Sequence, residues 1–359
     1  MILKQLNRLI TLSPYVKSKL IRLFSQSLSK PLNNKIVKQW KVVFYGTDEL
    51  SEVTLKALNN NRLSPTPLRI VKDLHVVCVK SDCPVRRYAS LHNLPLYTWP
   101  YSLTPGTYDV GIVVSFGHLI PTESILACEY GIINAHPSLL PRWRGAAPIF
   151  HTILNGDAET GVTITQVSPN KFDVGKILLQ ETFRIPDDFT SKMLTEKLSK
   201  IAADMIIQTL QDLPHYIKSS YSQPISGVIY APKIKPEKCK VIWNNDTPLA
   251  IERKLKAFGE FFDLYTYWKD MKVVITKCVS EKEAESANIS SIISSCVSSG
   301  FCYFHKRRKI LFVKCKNGWC GITNVKIPKK GRITALDFYN GFISKENPVN
   351  CYFSENKKS

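Results

Sequence analysis

The chain has 359 residues, 44% hydrophobic and 22% charged, enough for about two globular domains with real cores. Its 49 Lys and Arg against 29 Asp and Glu give a net charge of +20, which calls for a polyanionic partner. No apolar run is long enough to span a membrane, and ten cysteines without a CxxC pair exclude a zinc ribbon and a small disulfide scaffold, so free, mostly buried thiols and no metal are expected.

Residues 1–40 hold eight Lys or Arg and no Asp or Glu. In "MILKQLNRLITL", Leu3, Leu6 and Ile10 fall near one helical face, with Lys4 and Arg8 beside them. A basic, acid-free, amphipathic leader has the composition of a mitochondrial transit peptide and predicts a matrix protein. Arg8 interrupts the apolar core that a secretory signal needs; a basic arm on nucleic acid is the other alternative. Subtracting these eight charges from +20 still leaves a basic chain, at +12.

From Lys41 strands and helices alternate. "KVVFYG" (41–46), "LHVVCVK" (74–80), "DVGIVVSFG" (109–117) and "YGIIN" (130–134) read as strands. "ELSEVTLKALNN" (49–60) and "AAPIFHTILNG" (146–156) read as helices. Strands "GVTITQV" (161–167) and "KILLQETFRI" (176–185) precede a long helix over 190–213. The alternation predicts an α/β fold: a Rossmann-like, mainly parallel sheet over 41–213, with its site beyond the strand carboxyl ends. Gly46 is followed by "TDELSEV", so GxGxxG is absent and a nicotinamide or flavin enzyme is set aside.

Residues 214–236 are rich in Pro, Ser and Tyr without periodicity and read as a linker. One helix, "TPLAIERKLKAFG" (247–259), then accompanies short strand-like runs such as "KVIWN" (240–244), "KILFVKC" (309–315) and "WCGITNVKI" (319–327). These predict a smaller OB-like β-barrel domain over 237–350, with 351–359 as a tail. No acidic residue occurs between Ser286 and Ala335, and 306–332 carries ten Lys or Arg interleaved with Phe312 and Trp319. Lys306, Arg307, Arg308, Lys329, Lys330 and Arg332 are the candidate nucleic-acid contacts. A lysine-protected solvated edge is the alternative.

The chemistry concentrates in "GIINAHPSLLPRWRGAAP" (131–148), where Asn134 and His136 end a strand. An amide and an imidazole can both donate to an oxygen gaining negative charge, as acyl transfer requires. Asp173, in "SPNKFDVGK" (168–176), is the carboxylate to hold the imidazole and take protons. Such an Asn-x-His pair and an Asp-x-Gly turn also occur as purely structural features. No GxSxG or paired Ser or Cys nucleophile is present, so an attacking group would belong to the substrate.

The stretch from Asn134 to Pro148 closely resembles the signature of the 10-formyltetrahydrofolate-dependent formyltransferases. "NGDAETGVTITQVSPNKFDVGKIL" (155–178), "VVFYGTDELS" (42–51) and "VVSFGHLIP" (113–121) resemble the same family, in order, over most of 42–185. The resemblance implies direct formyl transfer from 10-formyltetrahydrofolate without an acyl-enzyme. It implies Asn134 and His136 as oxyanion stabilisers and Asp173 as the group that orients His136 and assists proton transfer. It further implies Ser138, Leu139, Leu140 and Pro141 as a folate-binding loop, and Phe116, Gly117, His118 and Leu119 as the lining of the pterin pocket. "PRWRGAAP" and "YAPKIKPEKCKVIWNNDTPLAIERKLKAFGEFFDLYTYW" are similar to the branch whose acceptor is initiator methionyl-tRNA. Relatives acting on small acceptors share the folate domain, but do not need a basic second one. Arg86 and Arg87, in a region where bacterial members carry a basic insertion, join Arg142 and Arg144 as tRNA candidates. His118 stands where many relatives have a less polar residue. A monomer is expected.

Overall fold

The computed structural model describes residues 38–65, 69–293 and 297–357. The expected leader lies outside them except at its end, and there the boundary moves. Trp40 is 1% exposed, opens the first strand, and donates from its indole Nε1 to the Leu210 carbonyl at 2.7 Å. Burying an indole contributes on the order of 2–3 kcal/mol, so Trp40 belongs to the folded body.

A seven-stranded sheet forms the first layer among the described residues: β1 (Trp40–Tyr45), β2 (Val71–Cys78), β3 (Leu96–Thr98), β4 (Val110–Val113), β5 (Ile132–His136), β6 (Glu159–Gln166) and β7 (Ile177–Arg184). Their spatial order is β3-β2-β1-β4-β5-β6-β7. The first five are parallel; β6 runs antiparallel to both β5 and β7. Strand order reverses at β1, so the crevice of a doubly wound sheet falls beyond the carboxyl ends of β1, β4 and β5.

Helix α1 (Glu49–Arg62) follows β1. Asp48 caps it by accepting from Ser51 N at 3.0 Å, Glu49 and Glu52 complement its N-terminal dipole, and Leu50, Leu55 and Leu58 turn inward. Three shorter helices follow: α2 (Pro84–Leu91), α3 (Thr122–Leu126) and α4 (Pro148–Asn155). The long α5 (Ser191–Gln211), capped by Thr190, buries Leu194, Leu198, Met205 and Ile206 in the same core.

The second body is antiparallel. It comprises β8 (Tyr265–Trp268), β9 (Met271–Cys278), β10 (Cys302–His305), β11 (Ile310–Cys315), β12 (Gly318–Ile327), β13 (Gly331–Thr334) and β14 (Phe353–Ser354), ordered β10-β11-β12-β9-β8-β14 with β13 on β12. Its edges meet, because Cys302 N donates to Cys351 O and Phe353 N to Gly300 O, both at 2.8 Å. The sheet therefore closes into the small barrel expected, which removes its exposed edges. Residues 351–354, at the start of the segment read as a tail, complete that closure instead. Phe353 pairs with Trp268, and Cys351 and Phe353 are buried.

The segment "KVIWN" forms no strand beyond a bridge from Lys240 to Tyr265. Its core contribution is Trp243, stacked on Phe353 at 6.0 Å.

Two junctions differ from the expected division. Helix α6 (Leu213–Lys218) runs into the first residues of the linker. Helix α7 (Pro248–Phe258) precedes the barrel strands, yet Ala257 and Phe258 belong to the first core. Phe150 of α4 lies 6.2, 5.3 and 5.7 Å from the rings of Phe258, Phe261 and Phe262. Nine cysteines are free among the described residues, all buried except Cys278; burial pushes the thiol of Cys78 up to about 11 and that of Cys128 up to about 12.

Candidate active site

A cleft of about 370 Å³ opens beyond the ends of β1, β4 and β5. Parallel pairing of Val113 with Asn134 sets β5 beside β4, and antiparallel pairing of His136 with Thr163 brings in β6. Because side chains alternate along a strand, Asn134 and His136 project to the same face.

Asp173 reaches them from the β6–β7 loop. Asn134 Nδ2 donates to its Oδ1 at 3.3 Å, and His136 Nδ1 lies 3.4 Å from the same oxygen. The other oxygen, Oδ2, accepts from Gly145 N at 2.9 Å. His136 Nε2 lies 2.9 Å from the Trp143 carbonyl, to which it must donate, so the Nδ1 edge is the one turned to the carboxylate. The His136 and Asp173 side chains are only 6% and 9% exposed, so their interaction is little screened by solvent.

The backbone here is demanding. Asp173 adopts φ +54°, in the left-handed region where Asp is among the better-tolerated residues. Gly145 sits at φ +120°, and a Cβ there would also meet the Ala231 carbonyl oxygen at 2.8 Å, so glycine is required.

The candidate folate residues divide. Phe116, Gly117, His118 and Leu119 line the cleft with Ile120. His118 stands at the rim, its ring 5.6 Å from that of Trp99 and 5.1 Å from that of Phe116. Ser138, Leu139, Leu140 and Pro141 do not line it. Ser138 is fully buried; its Oγ donates to Arg142 O at 2.7 Å and its carbonyl accepts from Thr163 Oγ1 at 2.6 Å. Leu140 N donates to Thr163 Oγ1, and Gln180 Nε2 donates to the Leu140 carbonyl. Ser138 and Leu140 tie this loop to β6 and β7, while the Leu139 and Pro141 carbonyls accept from Arg142 N and Ile229 N.

Arg142 and Arg144 are likewise engaged internally. Arg142 makes a bidentate pair with Asp157 at 2.9 and 2.6 Å, and its guanidinium lies 4.6 Å from the Trp143 ring. Arg144 donates twice to Gln223 Oε1, at 3.1 and 2.6 Å. Arg86 donates to the Val79 carbonyl and Thr98 Oγ1, and Arg87 pairs with Asp82.

Lys306, Arg307, Arg308, Lys329, Lys330 and Arg332 are all exposed. They occupy the β10–β11 turn, the β12–β13 turn and the start of β13. Antiparallel pairing of Leu311 with Ile322 sets both turns at one end of the barrel. Phe312 and Trp319, expected among the surface cations, are 0% and 7% exposed. Their strand neighbours Leu311, Val313 and Cys320 fill the barrel core, and Phe312 and Trp319, on the opposite face, are buried with Ala284, Ala287 and Ile289.

Thr47, Asp48, Ser115, Gln166 and Phe172 also line the cleft, and the sequence assigns them no role. The strand-end rule points to Thr47 and Asp48, directly after Gly46. Burial pushes the Asp48 carboxyl up, only partly offset by hydrogen bonds from Ser51 and Ser115. No local signal marks Gln223.

Residues 101–210 match the family model for formyl transferase, and 233–343 that for formyl transferase, C-terminal domain. The mitochondrial methionyl-tRNA formyltransferase of Mus musculus is 40% identical over 325 residues, covering 88% of this chain and 83% of that protein. Its Homo sapiens counterpart is 39% identical, covering 88% and 82%. A methionyl-tRNA formyltransferase of Methylococcus capsulatus is 32% identical over 84% of this chain and 96% of that one. An N-formyltransferase structure from Helicobacter canadensis, in complex with folinic acid and dTDP-3-aminofucose, shares the fold at 16% identity, with a TM-score of 0.54 over 79% of this chain and 98% of that one. Since both of its folded bodies match the family and the similarity runs through nearly the whole chain, the protein belongs to the formyl transferase family and is a one-carbon transferase.

Proposed function

We propose that this enzyme transfers the formyl group of 10-formyltetrahydrofolate to the α-amino group of methionine esterified to initiator tRNA, for translation initiation in the mitochondrial matrix. The observation that carries this reading is the convergence of Asn134, His136 and Asp173 in one cleft, in a chain about 40% identical to proteins named mitochondrial methionyl-tRNA formyltransferase.

The cleft suits a folate donor. Phe116, Leu119 and Ile120 offer an apolar wall for a flat heterocycle, while Asn134, His136 and Asp173 supply polar groups where a formyl carbon would sit. The methionine amine attacks that carbon and forms a tetrahedral adduct. The Asn134 amide donates to its oxyanion, and His136, whose Nε2 is committed to the Trp143 carbonyl, donates from Nδ1 once that atom carries a proton. Asp173 orients His136 and, through water, takes the proton released by the attacking nitrogen. Collapse of the adduct breaks the bond from the formyl carbon to N10, and the proton passes to N10 of the departing tetrahydrofolate. Both substrates are held side by side, so no enzyme nucleophile is consumed.

The exposed cations at one end of the barrel, of which Arg308 donates to Ser286, suit a tRNA backbone better than the less exposed Arg142, Arg144 and Arg86, whose donors are held inside the first body. On this reading the domains are a leader ending before Gln39, a formyltransferase domain followed by a strap across its site, and a barrel that extends through Phe353.

The test is a formylation assay with 10-formyltetrahydrofolate, comparing methionyl-tRNA with free methionine. Efficient transfer to the charged tRNA and negligible transfer to the free amino acid are expected. Equal use of both would overturn the tRNA reading.

A further inference from the structure

The segment expected as a linker is built into the site. Tyr221 and Ile177 exchange both backbone hydrogen bonds, at 2.8 and 3.1 Å. Farther along, Arg144 N donates to Ile229 O at 2.9 Å and Ala231 N to Arg144 O at 2.7 Å. Gln223 lies between these two anchor points. Its Oε1 accepts both hydrogen bonds from Arg144, beside Gly145. Its Nε2 donates to the main-chain carbonyls of Asp173 and Gly175, each at 2.9 Å.

One amide thus joins the two loops that meet at the Asp173 carboxylate. Asp173 needs such support, since its positive φ costs roughly 1–2 kcal/mol relative to an ordinary conformation. Gly175 restricts the same loop, because a Cβ there would meet the Gln166 carbonyl oxygen at 1.7 Å. Few side chains can accept from a guanidinium and donate to two carbonyls at once.

We propose that Gln223 is a positioning residue: it holds the Asp173 main chain so that the carboxylate meets Asn134 and His136, and through Arg144 it locks this loop to the strap that leads to the barrel. The proposal rests on the reading of Asn134, His136 and Asp173 as the acyl-transfer centre.

Gln223→Glu separates the two halves of the contact. A carboxylate keeps Arg144, but loses both donors and sets negative charge against two carbonyl oxygens. In the full-length protein, Gln223→Glu should lower kcat by about 10- to 100-fold, the cost of a small misplacement of a reacting group. The KM for each substrate should stay within about 2-fold, since Gln223 does not line the cleft. Amide hydrogen exchange over 168–175 should rise while that of α1 stays unchanged. The double variant Gln223→Glu/Asp173→Asn should be no slower than Asp173→Asn alone, because one residue acts through the other. Gln223→Leu, which tests loss of the amide without added charge, should show the same pattern. Unchanged kcat in both variants, or multiplying losses in the double variant, would overturn the proposal. A parent enzyme that formylates no amine would sink the reading of the centre, and the proposal with it; an active parent with unaffected variants sinks the proposal alone.

Discussion

Asp157 illustrates how one residue decides what its neighbours can do. Burial pushes its carboxyl up, but hydrogen bonds from Arg142, Asn155 and Trp143, with the Arg142 charge, outweigh that and hold it below the ordinary carboxylate range. The folded protein therefore binds this proton less readily than the unfolded chain. The stabilisation is complete above the unfolded carboxylate pKa of about 4 and disappears as pH falls through the lower folded value. Asp157→Asn should cost about 2 kcal/mol at pH 7, and the gap to the parent should close as pH drops below about 4, as read by urea denaturation across that range. At the same scale, Asn134→Ala, His136→Ala and Asp173→Asn should each slow formyl transfer by about 100-fold or more. Three variants with near-parental turnover would remove these residues from the chemistry.

Among the elements, the strap 219–231 supports the site without lining its cleft. It pairs with β7 through Tyr221 and with the loop after β5 through Ile229 and Ala231. Composition reveals its lack of periodicity, but not its partners, which lie 44 residues from Tyr221, at Ile177, and 87 residues from Ala231, at Arg144. At Gly145 strap and loop run so close that a Cβ would meet the Ala231 carbonyl oxygen. Gly145→Ala should destabilise the protein by roughly 1–3 kcal/mol through the strained φ, before the contact with Ala231 is added. It should also lower kcat, since the Gly145 N–H steadies Asp173. Paired denaturation and turnover measurements check both, and a variant with parental stability would refute the close approach.

At the scale of the molecule, one helix serves two cores: α7 gives Ile251 to the barrel core and Ala257 and Phe258 to the first. Helix α7 delivers Phe258, which is 0% exposed, against Phe150, and Arg253 donates to the Asn155 carbonyl. A chain cut at residue 236 would leave Phe150 and its surroundings open to water. It should express poorly or aggregate instead of serving small acceptors as an intact catalytic domain, and size-exclusion chromatography distinguishes these outcomes. The barrel cations should make tRNA binding strongly salt-dependent. If all six contact duplex phosphates, neutralising them should flatten the slope of log K against log salt by about 5. An unchanged slope would place the tRNA elsewhere.

Much of this protein follows from local sequence. A short apolar run reveals β1, buried on both faces, and a 3.6-residue repeat reveals α1 and α5, whose one inward face imposes it. The order of motifs determines the family, and strand-end position with side-chain chemistry singles out Asn134 and His136. Contacts between residues far apart in the chain were decided by the tertiary structure alone. Arg142, Arg144 and Ser138 look like ligands in sequence, since exposed and satisfied polar groups are written with the same letters. The fold pairs Arg142 with Asp157, Arg144 with Gln223 and the Ser138 hydroxyl with the Arg142 carbonyl. Phe312 and Trp319 look like a stacking surface until the segment carrying Ala284, Ala287 and Ile289 covers them. A hydrogen bond depends on where two chain segments meet, and that meeting is set by burial of the whole core, which no short stretch of sequence encodes.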